Sequence, residues 1–225
     1  MSEQPTTAFG AAHARSYAEG PPRQVPGFDG LHRMTSLLLA ERVPADGRVL
    51  VLGAGGGLEL RMLADAHAGW RFTGVDPSRE MLAAAGREVA AHAARMELVE
   101  GYIEAAPPGP FDAATCLLTM HFVPEAQRLP TLRAMRERLA PGTPLVMAHI
   151  SFTRAEPERT QWIRRHIAFG GGDPGSEAAV DAMRTRLTVL PPETEENLLR
   201  EAGFGGTSLF YAGLSFRGWV AYSGT

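Results

Sequence analysis

From Arg48 onward the chain alternates between short apolar runs and amphipathic stretches, and this rhythm limits the possible folds more than any other feature. The apolar runs fall at 49–52, 72–75, 96–99, 113–118 and 145–150. Between them, residues 79–93 place Met81, Leu82, Ala85 and Val89 on one helical face, with Arg79, Glu80, Arg87 and Glu88 turned outward. Residues 131–139 do the same with Leu132, Met135 and Leu139. Strands that are apolar at nearly every position must be covered on both faces, which describes a parallel sheet between helices. The end of the chain departs from this pattern. A helix at about 193–202 stops at Gly203, and runs 207–212 and 214–222 follow with only Gly213 and its neighbours between them. So short a link forces an antiparallel hairpin. The expected fold is therefore α/β: a Rossmann-like, seven-stranded, mostly parallel sheet with an antiparallel C-terminal hairpin.

Residues 151–190 read as a helical insertion after strand five, with helices at 156–168 and 176–186 broken by the Gly/Asp/Pro segment 170–175. The C-terminal ends of parallel strands open onto a ligand crevice, so this insertion is placed to cover one. Upstream, residues 1–28 are rich in Gly, Pro and polar groups. A helical pattern starts near Leu31, with Leu31, Met34, Leu37 and Leu38 on the expected buried face.

At 225 residues the chain suits a single domain, 1–225. Its one cysteine, Cys116, excludes an internal disulfide and a Cys-rich zinc site. No apolar run reaches the roughly 18–20 residues that cross a bilayer, and residues 1–20 lack a signal-peptide plan; a cytoplasmic location is expected. All 22 basic residues are arginine, which reads as GC-rich bacterial coding. A net charge of −3 gives no long-range pull toward phosphate backbones.

The segment from Arg48 to Glu59 runs from a strand through Gly53, Ala54, Gly55, Gly56 and Gly57 into a helix. Glycines are needed where the chain turns sharply or a ligand approaches the backbone. The next strand ends in Gly74-Val75-Asp76-Pro77-Ser78, and an acid at that tip can accept hydrogen bonds from both hydroxyls of a ribose. A dinucleotide fingerprint needs a third glycine where this chain has Leu58, which makes NAD a minority reading.

These residues resemble the class I S-adenosylmethionine-dependent methyltransferases, over nearly the whole chain from about Tyr17 to Tyr222. The resemblance also takes in the turn from Glu100 to Glu104, Phe111-Asp112, the stretch from Leu139 to Gly142, Ala202-Gly203-Phe204 and the final hairpin. It implies S-adenosylmethionine as cofactor, with S-adenosylhomocysteine as product. Gly53, Ala54, Gly55 and Gly57 would hold its methionine part, Asp76 and Pro77 its ribose, and Tyr102 and Ile103 its adenine. Residues 1–30, with Tyr17, would fold over the cofactor, and 151–190 would cover the substrate. A narrower resemblance joins the segment from Arg23 to Phe28 and the helix ending at Arg42 to carboxy-S-adenosylmethionine synthases, which serve tRNA wobble-uridine modification. That branch's cofactor-contacting tyrosine and asparagine fall at Phe28 and Leu117, and the arginine expected to pair with the added carboxylate falls at Leu198. Without that guanidinium the added carboxylate has no bidentate partner. Two further departures concern the wider family. Its usual acid in the first strand is Val51 here, for which Glu59 is a partial substitute, and its acid near the adenine is Tyr102.

Methyl transfer from a sulfonium rests mainly on positioning, and a base is needed only where the nucleophile must lose a proton. His121, after strand four, is the first candidate base. His149 lies within an apolar run, which favours burial, while His166, with Trp162 and Phe169, can line a pocket roof. His13, His32, His67 and His92 show no metal-ligand spacing, so no metal is expected. Arg154, Arg159, Arg164, Arg165, Arg184 and Arg186 make the insertion basic, but Glu156, Glu158 and Asp173 are interspersed. The expected function is methyl transfer from S-adenosylmethionine to a small-molecule acceptor, with nucleic acid and membrane disfavoured and a homodimer left open. The alternatives are a carboxy-S-adenosylmethionine synthase-like enzyme and a non-catalytic nucleotide-binding module.

Overall fold

The computed structural model describes residues 20–224 and centres on β1 (Arg48–Leu52), whose side chains alternate between two cores. Val49 and Val51 point into one, Leu50 and Leu52 into the other. Both faces are therefore packed, as continuous apolar strands require. Four strands run parallel with it: β2 (Arg71–Asp76), β3 (Met96–Glu100), β4 (Ala113–Leu117) and β5 (Pro144–Ile150). The hairpin of β6 (Phe204–Gly213) and β7 (Phe216–Ser223) completes a seven-stranded sheet in the order β3-β2-β1-β4-β5-β7-β6. β7 lies antiparallel to β5, with Ile150 opposite Phe216 and Pro144 opposite Tyr222. The expected fold class is thus the observed one. The strand order reverses between β1 and β4, so the crevice opens at their C-terminal ends.

Eight α-helices are found among the described residues. On the Val49/Val51 face lie α1 (Gly20–Gln24), α2 (Phe28–Ala40), α3 (Leu58–Ala66), Leu82 of α4 (Arg79–Glu88), α6 (Glu158–Phe169) and α7 (Glu177–Arg186). The opposite face is covered by α5 (Glu125–Glu137) and α8 (Pro192–Glu201), through Leu132, Met135, Leu199 and Ala202.

Three local expectations need correction. α2 starts at Phe28, and its buried stripe is Phe28, Leu31, His32, Thr35 and Leu39, while Leu37 is 67% exposed. The stripe follows helical spacing from Phe28, which puts Leu37 on the opposite side and two polar residues on the inner one. α4 ends at Glu88, and residues 90–95 tighten into a 3₁₀ turn, because Arg95 reaches back to the carbonyls of Ala64, His67 and Trp70 at 2.7–3.0 Å. α5 begins at Glu125 and continues through Pro130. Ala126 and Pro130 are both exposed, so water can take the carbonyl that the proline leaves without an N–H partner.

Candidate functional site

The glycine turn after β1 is built by its own backbone. Gly53 and Gly57 have φ of 80° and 89°, the left-handed region that glycine occupies without strain. A Cβ on Gly53 would lie 2.0 Å from Thr119 Oγ1, and one on Gly57 2.8 Å from Ala85 Cα, so neither position has room for a side chain. The N–H groups of Gly53 and Ala54 donate to the Val75 carbonyl at 2.8 and 3.0 Å, which pins the turn beside the end of β2.

Asp76 ties the two strand tips together. Its Oδ2 accepts from the Gly55 N–H and its Oδ1 from the Ser78 N–H, both at 2.9 Å. Burial raises its pKa, and these two backbone hydrogen bonds offset part of that rise. Each carboxylate oxygen keeps a further lone-pair direction, which suits an acceptor of two adjacent hydroxyls.

Beside the turn runs a narrow cleft between α2 and the end of β4, lined by Phe28, His32, Gly53, Ala54, Glu59 and Leu117. Its volume is about 20 Å³, room for about one water. His32 donates from Nδ1 to the Phe28 carbonyl at 2.9 Å, and burial lowers its pKa, leaving the ring neutral. Glu59 is 7% exposed, and its Oε1 has no hydrogen-bond partner. Burial pushes its carboxyl up to about 7, eased slightly by the neighbouring Thr115 hydroxyl.

A second space, of about 340 Å³, opens between the inserted helices α6 and α7, Gln24 and Phe122. Gln24, Phe122, His166, Ile167, Met183 and Arg186 are among its walls. Gln24 and Phe122 line this larger space, while Phe28, His32, Leu117 and Leu118 line the cleft, so the two have no wall residue in common. His166 Nδ1 lies 2.8 Å from Ser215 Oγ, and burial lowers its pKa to about 4, so its ring is neutral at physiological pH.

Behind this cavity lies a buried polar strut. The guanidinium of Arg128 on α5 donates to the Glu195 carboxylate of α8 and to the Thr188 carbonyl. His149 Nε2 of β5 is 3.0 Å from the same carboxylate oxygen without closing a well-aligned hydrogen bond. The Thr188 N–H donates to the His121 carbonyl at 2.8 Å, so the strut fixes the segment on which His121 sits.

The sequence candidates are distributed as follows. Gly53, Ala54, Gly55, Gly57, Asp76, Phe28 and Leu117 come together around the turn and cleft. Pro77 is exposed beside Asp76; Ile103 is buried at the tip of β3, and Tyr102 next to it is 45% exposed. Tyr17 lies outside the described residues. His121 is only 5% exposed, its Nδ1 facing the Ile150 N–H at 3.4 Å, and burial holds its pKa well below the usual histidine range. Trp162, His166 and Phe169 do not share one wall: His166 lines the cavity, Phe169 is exposed, and Trp162 packs against Phe152. Half of the six arginines of the insertion are ion-paired, Arg154 with Glu125, Arg164 with Glu177 and Arg184 with Glu156. Among the described residues no cluster of His, Cys, Asp or Glu could hold a metal, and no helix is long and apolar enough to cross a membrane. The sequence reading missed His32 as a cleft residue; its place four residues after Phe28, on one helical face, was the available signal.

Comparison with known proteins bears on the family and the fold. A family profile described as a methyltransferase domain matches residues 49–142, from β1 to the entry of β5. The carboxy-S-adenosyl-L-methionine synthase of Pseudomonas paraeruginosa is 30% identical over 213 residues, 88% of this chain and 84% of that protein. The synthase of the same name from Chromohalobacter salexigens is 29% identical over 89% of this chain and 77% of its own length. Among solved structures, the phosphoethanolamine N-methyltransferase 2 of Haemonchus contortus, in complex with S-adenosyl-L-methionine, superposes with a TM-score of 0.74 at 14% identity, covering 98% of this chain and 59% of that one. An O-methyltransferase family protein from Burkholderia thailandensis gives a TM-score of 0.71 at 14% identity, over 97% of this chain and 61% of its own. The chain thus spans about three fifths of these two longer structures.

Proposed function

The chain belongs to the class I S-adenosylmethionine-dependent methyltransferases, and from that premise we propose that it moves the methyl group of S-adenosylmethionine to a small acceptor seated in the 340 Å³ cavity under the inserted helices. The observation that carries this reading is that Gln24 and Phe122, in the wall of this cavity, lie four residues along the chain from Phe28 and Leu118, which line the cleft beside the glycine turn. A cofactor held at the glycine turn and an acceptor in the cavity would then meet neighbouring stretches of the chain.

The donor set suits this cofactor. Asp76 keeps two free lone-pair directions for vicinal hydroxyls, the orphaned Oε1 of Glu59 suits a cationic group, and Phe28 and Leu117 offer apolar cover. When bound, S-adenosylmethionine supplies a methyl group on a sulfonium, whose leaving group is a neutral thioether. The chain's own part is to bind, orient and keep out water. Phe122, Ile167 and Met183 give the acceptor an apolar seat, and Arg186 at its rim favours an anionic substituent. His166, neutral and facing this space, is the ring best placed to accept a proton from an acceptor hydroxyl or amine. His121, enclosed one layer behind, is assigned a positioning part through its carbonyl and ring packing, so the proton-accepting role expected of it passes to His166 in this reading.

The relatives named carboxy-S-adenosyl-L-methionine synthase favour a second reading, in which a carboxylated cofactor is the product. Against it, Leu198 packs with the apolar cluster on the far face of the sheet and supplies no guanidinium. Mass spectrometry of the nucleotide released on denaturation, followed by calorimetric titration of S-adenosylhomocysteine, separates the two. S-adenosylmethionine or its demethylated product supports methyl transfer, and a carboxylated cofactor supports the second reading. No binding overturns both, and binding without turnover across a panel of small acceptors leaves a non-catalytic nucleotide module.

A further inference from the structure

The outer side of α2 carries features that the single chain leaves unused. The inner side, with Phe28, Leu31, His32, Thr35 and Leu39, is buried. Opposite it, Leu37 is 67% exposed, the highest value among the exposed large hydrophobic residues of the described chain. Half-buried Met34 and Leu38 lie beside it and widen the apolar strip. A single exposed leucine is ordinary on a protein surface; its surroundings here are not. Gly30 lies on the same side, inside the helix, where glycine is weaker than alanine. A Cβ on Gly30 would meet nothing within 4 Å, and its φ is not in the left-handed region, so nothing within the chain calls for glycine there. Arg33 and Glu41, four residues to either side of Leu37, are both exposed, and among the described residues neither side chain has an ionic or hydrogen-bonding partner.

We propose that this face of α2 binds the same face of a second copy of the chain across a two-fold axis. The pattern is self-complementary, as a two-fold interface requires. With the helices antiparallel and the axis at Leu37, the two leucines meet at the centre. Each Arg33 then comes level with the partner's Glu41, because 33 and 41 stand equally far from 37, about 6 Å along the helix. On a 3.6-residue helix both side chains project within about 40° of the Leu37 direction, so each guanidinium reaches a carboxylate of the other copy. Gly30 comes level with the partner's Pro44, just past the end of that copy's α2, where a missing Cβ lets the two chains approach. The helix has 13 residues, a length of about 20 Å, and its outer face falls short of the roughly 800 Å² per partner of a standard stable complex. The dimer is therefore weak and reversible, with a dissociation constant on the order of 100 µM. Phe28 and His32 face the other way, into the cleft, so the pairing leaves the glycine turn open.

Sedimentation equilibrium of the full chain, from about 20 µM to about 1 mM, tests this without ligand or turnover. Wild-type protein should move from monomer toward twice the monomer mass over that range, and about 0.5 M salt should weaken the association at least about threefold. Leu37→Arg should weaken it at least about tenfold, since two like charges would then meet at the centre. Arg33→Glu and Glu41→Arg should each weaken it at least about fivefold, because each sets like charges against one another at both pairs. An equimolar mixture of these two variants should associate within about twofold of wild type, since opposite charges then meet at both pairs. The double variant R33E/E41R should do the same on its own. All three positions are exposed, so these substitutions leave the fold intact. A protein that stays monomeric to about 1 mM, a dimer that Leu37→Arg leaves undiminished and that therefore forms through another face, or a mixture no tighter than its separate components would overturn the proposal.

Discussion

Replacing Arg128 by methionine would remove the guanidinium that joins α5, the 187–195 segment and β5, and leave Glu195 buried with one fewer partner. Both side chains of the Arg128–Glu195 pair are fully enclosed, so water cannot compensate. Breaking such a pair from one side typically costs about 3–5 kcal/mol, because the remaining charge stays desolvated. For a domain of 225 residues, unfolding entropy near 2.1 cal/mol/K per residue converts 1 kcal/mol into about 2 °C, so the midpoint should fall by about 6–10 °C. Replacing Glu195 as well, by methionine, removes the stranded charge, and the double variant should be more stable than the sum of the two losses by about 1–3 kcal/mol. Thermal melts and urea unfolding followed by circular dichroism read both quantities. Burial alone would raise the Glu195 pKa, but His149 and Arg128 outweigh it and hold the carboxyl below its ordinary range. The pair's contribution is therefore present above the usual glutamate pKa and is lost as pH falls through the lowered one. A shift below 2 °C for Arg128→Met, or strict additivity in the double variant, would refute the view of this cluster as a coupled strut.

Glu59 makes the opposite pH prediction. Its folded pKa of about 7 exceeds the reference value of 4.5, so ligand-free protein should lose about 3 kcal/mol of stability as pH rises from 4.5 to 7. Glu59→Gln should flatten that slope, and a urea series that retains it would argue against the buried carboxyl. Asp76→Ala should weaken S-adenosylhomocysteine by about 1–3 kcal/mol by calorimetry; unaltered affinity would place the ribose elsewhere. With an acceptor in hand, His166→Ala should lower turnover at least about tenfold while cofactor affinity stays within about twofold. Because His166 titrates near 4, wild-type turnover limited by that ring should be flat from pH 6 to 8, and a rise centred near 6.5 would point to another base.

The parallel strands with their closing hairpin, the glycine turn and Asp76 were legible because each is written in a short stretch of chain. Continuous apolar runs state that a strand is covered twice, and a one-glycine link between 207–212 and 214–222 leaves no length for a parallel crossover. Legibility fell where burial depended on partners distant in sequence. Leu37 looked like a core residue by hydropathy, but the phase set by Phe28 turned it to solvent and brought His32 inward. Glu59 stood in the sequence as a substitute acid, but only packing against β4 decided that it is enclosed.

Sequence by itself therefore determined the architecture, the end of the sheet at which the crevice opens and the acid at the tip of the second strand, since these follow from local periodicity and turn geometry. Tertiary structure alone decided which ionisable groups are buried and with whom. Arg128 and Glu195 are 67 residues apart, and His166 and Ser215 are 49 apart. Their meeting depends on how the insertion and the hairpin fold back over the sheet, and the charge state of each depends on the water that this packing removes.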